Sequence, residues 1–167
     1  MTKDVLISIR GKQEIGKKKE GRLIAGTVRT ERTDEPIEVI VPGRYYEKNG
    51  GHFLLFEEIA EDGGKTATSV KIRDKSLEMT RRGAVSTHMV FERGGQSLSY
   101  YQTGFGTIRL GIQTSHFDLK ETEERIDVSL RYDMEVNYEH YAECFLAMSV
   151  TPRAEGLAAQ EAAQGTI

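Results

Sequence analysis

The chain has 167 residues, close to the roughly 150 of a typical domain, so one domain is expected. With 38% hydrophobic and 29% charged residues, 17 Gly and 3 Pro, it is too apolar for a disordered chain and too polar for a membrane protein, and no run approaches the roughly 20 apolar residues of a membrane-spanning helix. The 23 Lys and Arg nearly balance the 26 Asp and Glu, so the net charge of −3 excludes a molecule-wide basic field. The single cysteine, Cys144, excludes an intramolecular disulfide. Met1 to Arg10 lacks a charged n-region followed by an apolar h-region, and a reducing cytoplasm is the expected location.

In chain order, Lys3 to Lys12 reads as a first strand. Residues 13–34 are aperiodic, and Arg10 to Arg32 holds eight basic residues against three acidic ones, a local charge of about +5 by counting Lys, Arg and Glu. A connection this long is uncommon in a compact domain. Beyond it come short segments with the two-residue period of half-buried strands: Ile37, Val39 and Val41 before Gly43; His52 to Ile59; Lys65 to Arg73; Leu77 and Met79 before Arg81; Val85, Met89 and Phe91; Ser97 to Thr103; Ile108, Leu110 and Ile112; His116 to Lys120. The clearest is Ile126, Val128, Leu130, Tyr132, Met134 and Val136, whose intervening residues are all polar. A helix would scatter these apolar residues around its surface, whereas a strand collects them on one face. A last segment, with Tyr141 and Phe145, runs to about Val150.

The punctuation suits hairpins: Lys48-Asn49-Gly50-Gly51, Glu61-Asp62-Gly63-Gly64, Arg73-Asp74-Lys75, Arg93-Gly94-Gly95-Gln96 and Asn137-Tyr138. Consecutive strands should therefore be antiparallel neighbours. About ten sequential hairpin strands without a helix predict an all-β, closed, antiparallel up-and-down barrel of about eight to ten strands, which removes the sheet edges; a Greek-key sandwich is the alternative. Residues 1–150 make the barrel domain, with 13–34 as its long basic connection, and 151–167 form a weakly structured Ala/Gln/Glu/Gly tail.

The run Gly43-Arg44-Tyr45-Tyr46 with Asn49-Gly50, Phe56-Glu57-Glu58, Thr68 to Ile72, Met79-Thr80-Arg81-Arg82-Gly83, Met89-Val90-Phe91, Gly94, Tyr101 to Gly106, Thr114 and Tyr132-Asp133-Met134 resembles the YwiB-like family of bacterial proteins. The resemblance covers roughly Pro36 to Val150 in order and spacing. It implies a closed β-barrel similar to the calycins, the lipocalin and fatty-acid-binding type, and brings no catalytic or binding residues with it. The basic stretch and the tail look like additions to the family core.

Chemistry is sparse. The histidines, His52, His88, His116 and His140, fall in no metal-ligand spacing, and no metal or cofactor is expected. His140 and Cys144 share a strand face at roughly 13 Å, too far to share a proton, and Cys144 reads as a small core residue. Gly104-Phe105-Gly106 lacks the third glycine and the following helix of a phosphate loop, which leaves a hairpin turn or bulge. No G-x-S-x-G elbow is present. The Glu57-Glu58 pair, like Tyr45-Tyr46 and Tyr100-Tyr101, is split by strand alternation, one side chain inside and one outside.

Arg81 is the sharpest residue: it shares parity with Leu77 and Met79, so a regular strand aims its guanidinium into the barrel, where it must meet a carboxylate, a ligand anion or water. The candidate binding residues are Arg81, Tyr45, Tyr101 and Glu57, with no catalytic residue. The leading reading is a non-enzymatic barrel for a small anionic or apolar ligand; the rival is an interaction module whose barrel is packed by Met79, Met89, Phe91, Tyr132 and Met134. An internal pocket of roughly 300 Å³ or more separates them. Nucleic acid is not an expected partner, because the basic stretch lacks interleaved aromatics for base stacking.

Overall fold

The computed structural model describes residues 3–15, 37–59, 63–83 and 86–153. Residues 16–36 and 154–167, with Val85 and the Glu61-Asp62 part of a turn, lie outside the described residues, so the inner part of the basic connection and most of the tail do too. Ten strands follow one another: β1 Lys3–Ile15, β2 Ile37–Lys48, β3 Gly51–Ile59, β4 Lys65–Arg73, β5 Ser76–Arg82, β6 Thr87–Glu92, β7 Gln96–Thr103, β8 Gly106–Glu121, β9 Ile126–Val136 and β10 Glu139–Pro152. β1 runs to Ile15 and β10 to Pro152, so residues 13–15, expected in the connection, are strand, as are Thr151 and Pro152. No described helix is long and apolar enough to cross a membrane.

All ten strands form one antiparallel sheet in the order β6-β5-β4-β3-β2-β1-β10-β9-β8-β7, a nearly closed barrel. The first and last strands pair along Val5 to Ile15. The interruption lies between β6 and β7, where a paired hairpin was expected. Gly94, at φ 72°, turns the chain, but the Gly94 N–H donates to the Thr114 carbonyl of β8 at 3.1 Å and Gly95 accepts from the Thr114 N–H at 3.1 Å. The Gly95 N–H also closes the turn onto the Glu92 carbonyl at the end of β6, at 2.7 Å, but the Thr114 bonds extend the β7–β8 ladder and no β6–β7 ladder forms; the Ser99 hydroxyl donates to the His88 carbonyl across the seam at 2.5 Å. The Asn49-Gly50 turn, with φ of 50° and 78°, is the two-residue hairpin turn its sequence predicts.

Alternation builds the core. Val5, Ile7 and Ile9 of β1, Leu54 and Phe56 of β3, Val70 and Ile72 of β4 and Ile126 to Tyr132 in alternate positions of β9 all face inward and are buried. Each such aliphatic side chain contributes about 2 kcal/mol by leaving water. Phe91 and Tyr132 meet across the interior with ring centroids 4.7 Å apart. β8 is one strand where two were expected, because a bulge between Thr114 and His116 shifts the register by one residue. After it, Phe117 and Leu119 face inward and His116 faces out.

Thr114 sits at that bulge, fully buried, and its hydroxyl has no hydrogen-bond partner among the described residues. A buried unsatisfied hydroxyl costs about 1–3 kcal/mol. Thr114→Val, which keeps the branched shape and removes the orphan, is expected to raise stability by about 1 kcal/mol in urea unfolding. A loss of stability would mean that the hydroxyl has found a partner.

Candidate functional site

Thr114 apart, the buried polar residues His52 and Thr68 lie toward opposite ends of the barrel. At one end, Arg81 lies directly across from Thr68 on β4 and points inward beyond Met79. Its guanidinium Nη2 is 3.7 Å from Glu58 Oε1, which also accepts a hydrogen bond from the Thr68 hydroxyl at 3.2 Å. Arg81 is 40% exposed, yet its Nε is buried and has no acceptor among the described residues. Tyr101 of β7 faces Arg81 across the seam. Burial raises the pKa of its phenol and the Arg81 charge opposes that rise.

Two clefts open here. One, of about 680 Å³ at the β6/β7 seam, is lined by Thr80, Arg81, Thr87, His88, Ser99 and Tyr101 among others. The other, of about 930 Å³, arises because β2 pairs with β3 only along Arg44 to Lys48, so the wall parts beyond Gly43. Glu58 and Thr68 line that second cleft. The Glu58–Arg81 ion pair thus stands between the two openings.

Deeper in the barrel, Cys144 is buried opposite Tyr132. Burial pushes its thiol up to about 11, despite a hydrogen bond with the Tyr132 hydroxyl. Such a thiol stays protonated and unreactive near neutral pH, as a core residue should. Burial likewise raises the Tyr132 phenol well above its ordinary value.

At the opposite end, the Tyr45 hydroxyl lies 2.7 Å from His52 Nδ1, and His52 Nε2 lies 2.7 Å from Glu121 Oε1. This chain joins β2, β3 and β8. Burial, followed by the negative charges of Glu47 and Glu121, raises the Tyr45 pKa. His52 is 8% exposed. Metal-ligand spacing does not single out His52, but the parity it shares with the buried Leu54 and Phe56 does.

The four sequence candidates therefore separate. Arg81 and Tyr101 share the seam cleft, and Tyr45 belongs to the other end. Glu57 is exposed on the outer face, opposite Ala67, and the interior carboxylate is Glu58, because alternation from Leu54 through Phe56 places the even-numbered side chains inside. Tyr46 likewise lies outside, stacked on Phe53 at 4.9 Å, and Tyr100 is exposed. Among the described residues no group of three His, Cys, Asp or Glu is placed to hold a metal ion.

The architecture defines a ten-stranded antiparallel β-barrel with its seam between the sixth and seventh strands. The sequence matches the domain of unknown function DUF1934 over residues 23–148, and the chain belongs to that family. It is 29% identical over 116 residues to the uncharacterized beta-barrel protein YwiB of Bacillus subtilis (strain 168), spanning 70% of this chain and 81% of that one. The crystal structure of the ywiB protein from Bacillus subtilis superposes with a TM-score of 0.63 at 25% identity, covering 87% of this chain and 91% of that chain. The match from residue 23 takes in part of the basic connection, which the sequence reading set outside the family core.

Proposed function

We propose that the protein is a non-enzymatic, cytoplasmic, calycin-type barrel that binds a small anionic, partly apolar ligand at the seam cleft, with Arg81 as the anion anchor and Tyr101 and Ser99 as flanking contacts. The observation that carries this reading is the Arg81 Nε, buried at the edge of a 680 Å³ cleft with no acceptor among the described residues. A buried guanidinium donor without an acceptor costs free energy that a bound carboxylate recovers. Glu58 Oε1 lies 3.7 Å from the Arg81 Nη2, beyond hydrogen-bonding length, so the ion pair holds the side chain without saturating it.

The rival reading, an interaction module, draws on a different observation: Met79, Phe91 and Tyr132 are buried and Met89 and Met134 pack against them, so the middle of the barrel is filled. Binding is then confined to the ends. Titration with sodium octanoate and sodium benzoate by calorimetry, together with native mass spectrometry of freshly purified protein, separates the two. Saturable binding that Arg81→Leu weakens at least tenfold, about 1.4 kcal/mol, supports the anion anchor. A bare mass on repeated preparations and no heat of binding would favour the interaction module.

A further inference from the structure

We propose a second anion site, independent of Arg81, on the outer wall of the barrel: a shallow pocket for a small molecule that carries one phosphate group and a flat apolar part. The strand register sets Lys12 of β1, Phe145 of β10, Arg131 of β9 and His116 of β8 in one line across four adjacent strands. Arg10, two residues along β1, opposes Ala147. Alternation turns all of these outward, and Arg10, Arg131 and His116 are exposed. His116 reaches this face only because of the bulge beside Ser115; an unbroken strand would point it inward with Thr114.

The small side chains of Ala147 and Ser129 leave a depression of about 310 Å³ bordered by Arg10, Lys12, Arg131 and His116. That volume is at the lower end of small-ligand sites. Its apolar rim is Phe145, with the Arg131 guanidinium 5.0 Å from the ring centroid. Among the described residues no carboxylate oxygen lies within 4 Å of the side-chain nitrogens of Arg10, Arg131 or His116, and Lys12 meets Glu14 at 3.5 Å. Two guanidiniums, an ammonium and an imidazole around one hollow outnumber what a single carboxylate requires, and suit the oxygens of a phosphate.

The surroundings limit the size of the partner. The next line across the same strands is acidic, with Glu14 opposite Glu143 and Glu143 opposite Asp133. On the far side, Glu38 opposes Arg10 and Asp118 opposes Ser129. Successive outward residues on a strand are roughly 7 Å apart, so a nucleic-acid backbone laid across the cations would also run over carboxylates. A single phosphate fits between these fences.

The test is an NMR titration of the full chain with adenosine 5′-monophosphate, adenosine and inorganic phosphate, with melting temperatures recorded for each variant. Saturable shifts on β1, β8, β9 and β10 are expected with the nucleotide, at least about tenfold tighter than with adenosine or phosphate alone. Arg131→Gln should weaken binding about tenfold or more, and Ala147→Trp, which fills the hollow and keeps every cation, should abolish it. Arg81→Leu should leave it unchanged, which separates this site from the seam cleft. Adenosine binding as tightly as the nucleotide, undiminished binding by folded Ala147→Trp, no saturation by 10 mM nucleotide, or much tighter binding of a long oligouridylate would each overturn the proposal.

Discussion

Gly43→Val is expected to lower stability by about 3 kcal/mol, roughly 10 °C in melting temperature for a domain of this length. A Cβ at position 43 would lie 2.6 Å from Ile7 Cδ1, 2.8 Å from the Leu55 carbonyl oxygen and 3.2 Å from Phe56 Cβ. Ile7 is fully buried and the Leu55 oxygen is backbone, so neither neighbour yields without moving a strand. Gly43 immediately precedes the β2–β3 ladder, which begins at Arg44. A side chain there would push β2 off β3 and widen the cleft that Glu58 lines. Gly104→Ala is the control: its Cβ meets nothing within 4 Å, and a change below about 0.5 kcal/mol is expected. If Gly43→Val melted within about 2 °C of wild type, the close approach of β2 to β3 would not be a fixed feature of the fold.

This gives the glycine of the Gly43-Arg44-Tyr45-Tyr46 run a physical meaning that the sequence alone lacked. Periodicity located the strands because alternation is a local property, visible in segments such as Ile126 to Val136. It did not show the gap between β6 and β7. Whether β6 pairs with β7 depends on which strand Gly94 and Gly95 bond, and their partner, Thr114, is some twenty residues away. The Ser115 bulge was equally invisible, since one extra residue in β8 alters facing without altering composition.

Arg81 was legible because its parity is set by Leu77 and Met79 two and four residues before it. Glu58 and His52 carried the same signal through Leu54 and Phe56. Fixing the parity of β3 from its buried aliphatic residues would have selected Glu58 over Glu57 without any structure. The line of side chains on the outer wall was not legible at all, because Lys12, His116, Arg131 and Phe145 are spread over more than 130 residues and only the register of four strands brings them together.

His52→Ala is expected to cost about 2 kcal/mol, the second largest loss. The ring is nearly buried and bridges Tyr45 on β2 to Glu121 on β8, closing the end of the barrel opposite Arg81. Removing it forfeits two short hydrogen bonds, leaves the part-buried Tyr45 hydroxyl without its partner and opens a small cavity. The partners should cost less, in an order set by exposure. Tyr45→Phe removes one bond and keeps the ring, for about 1 kcal/mol. Glu121→Gln keeps an acceptor oxygen on a side chain that is 47% exposed, so less than about 0.5 kcal/mol is expected. Urea unfolding of the three variants and of the Tyr45→Phe/His52→Ala double mutant measures the coupling directly. The double mutant should be little worse than His52→Ala alone, since the Tyr45 hydroxyl has already lost its partner. Strict additivity would show that tyrosine and histidine act separately and that the bridge does not hold the three strands together.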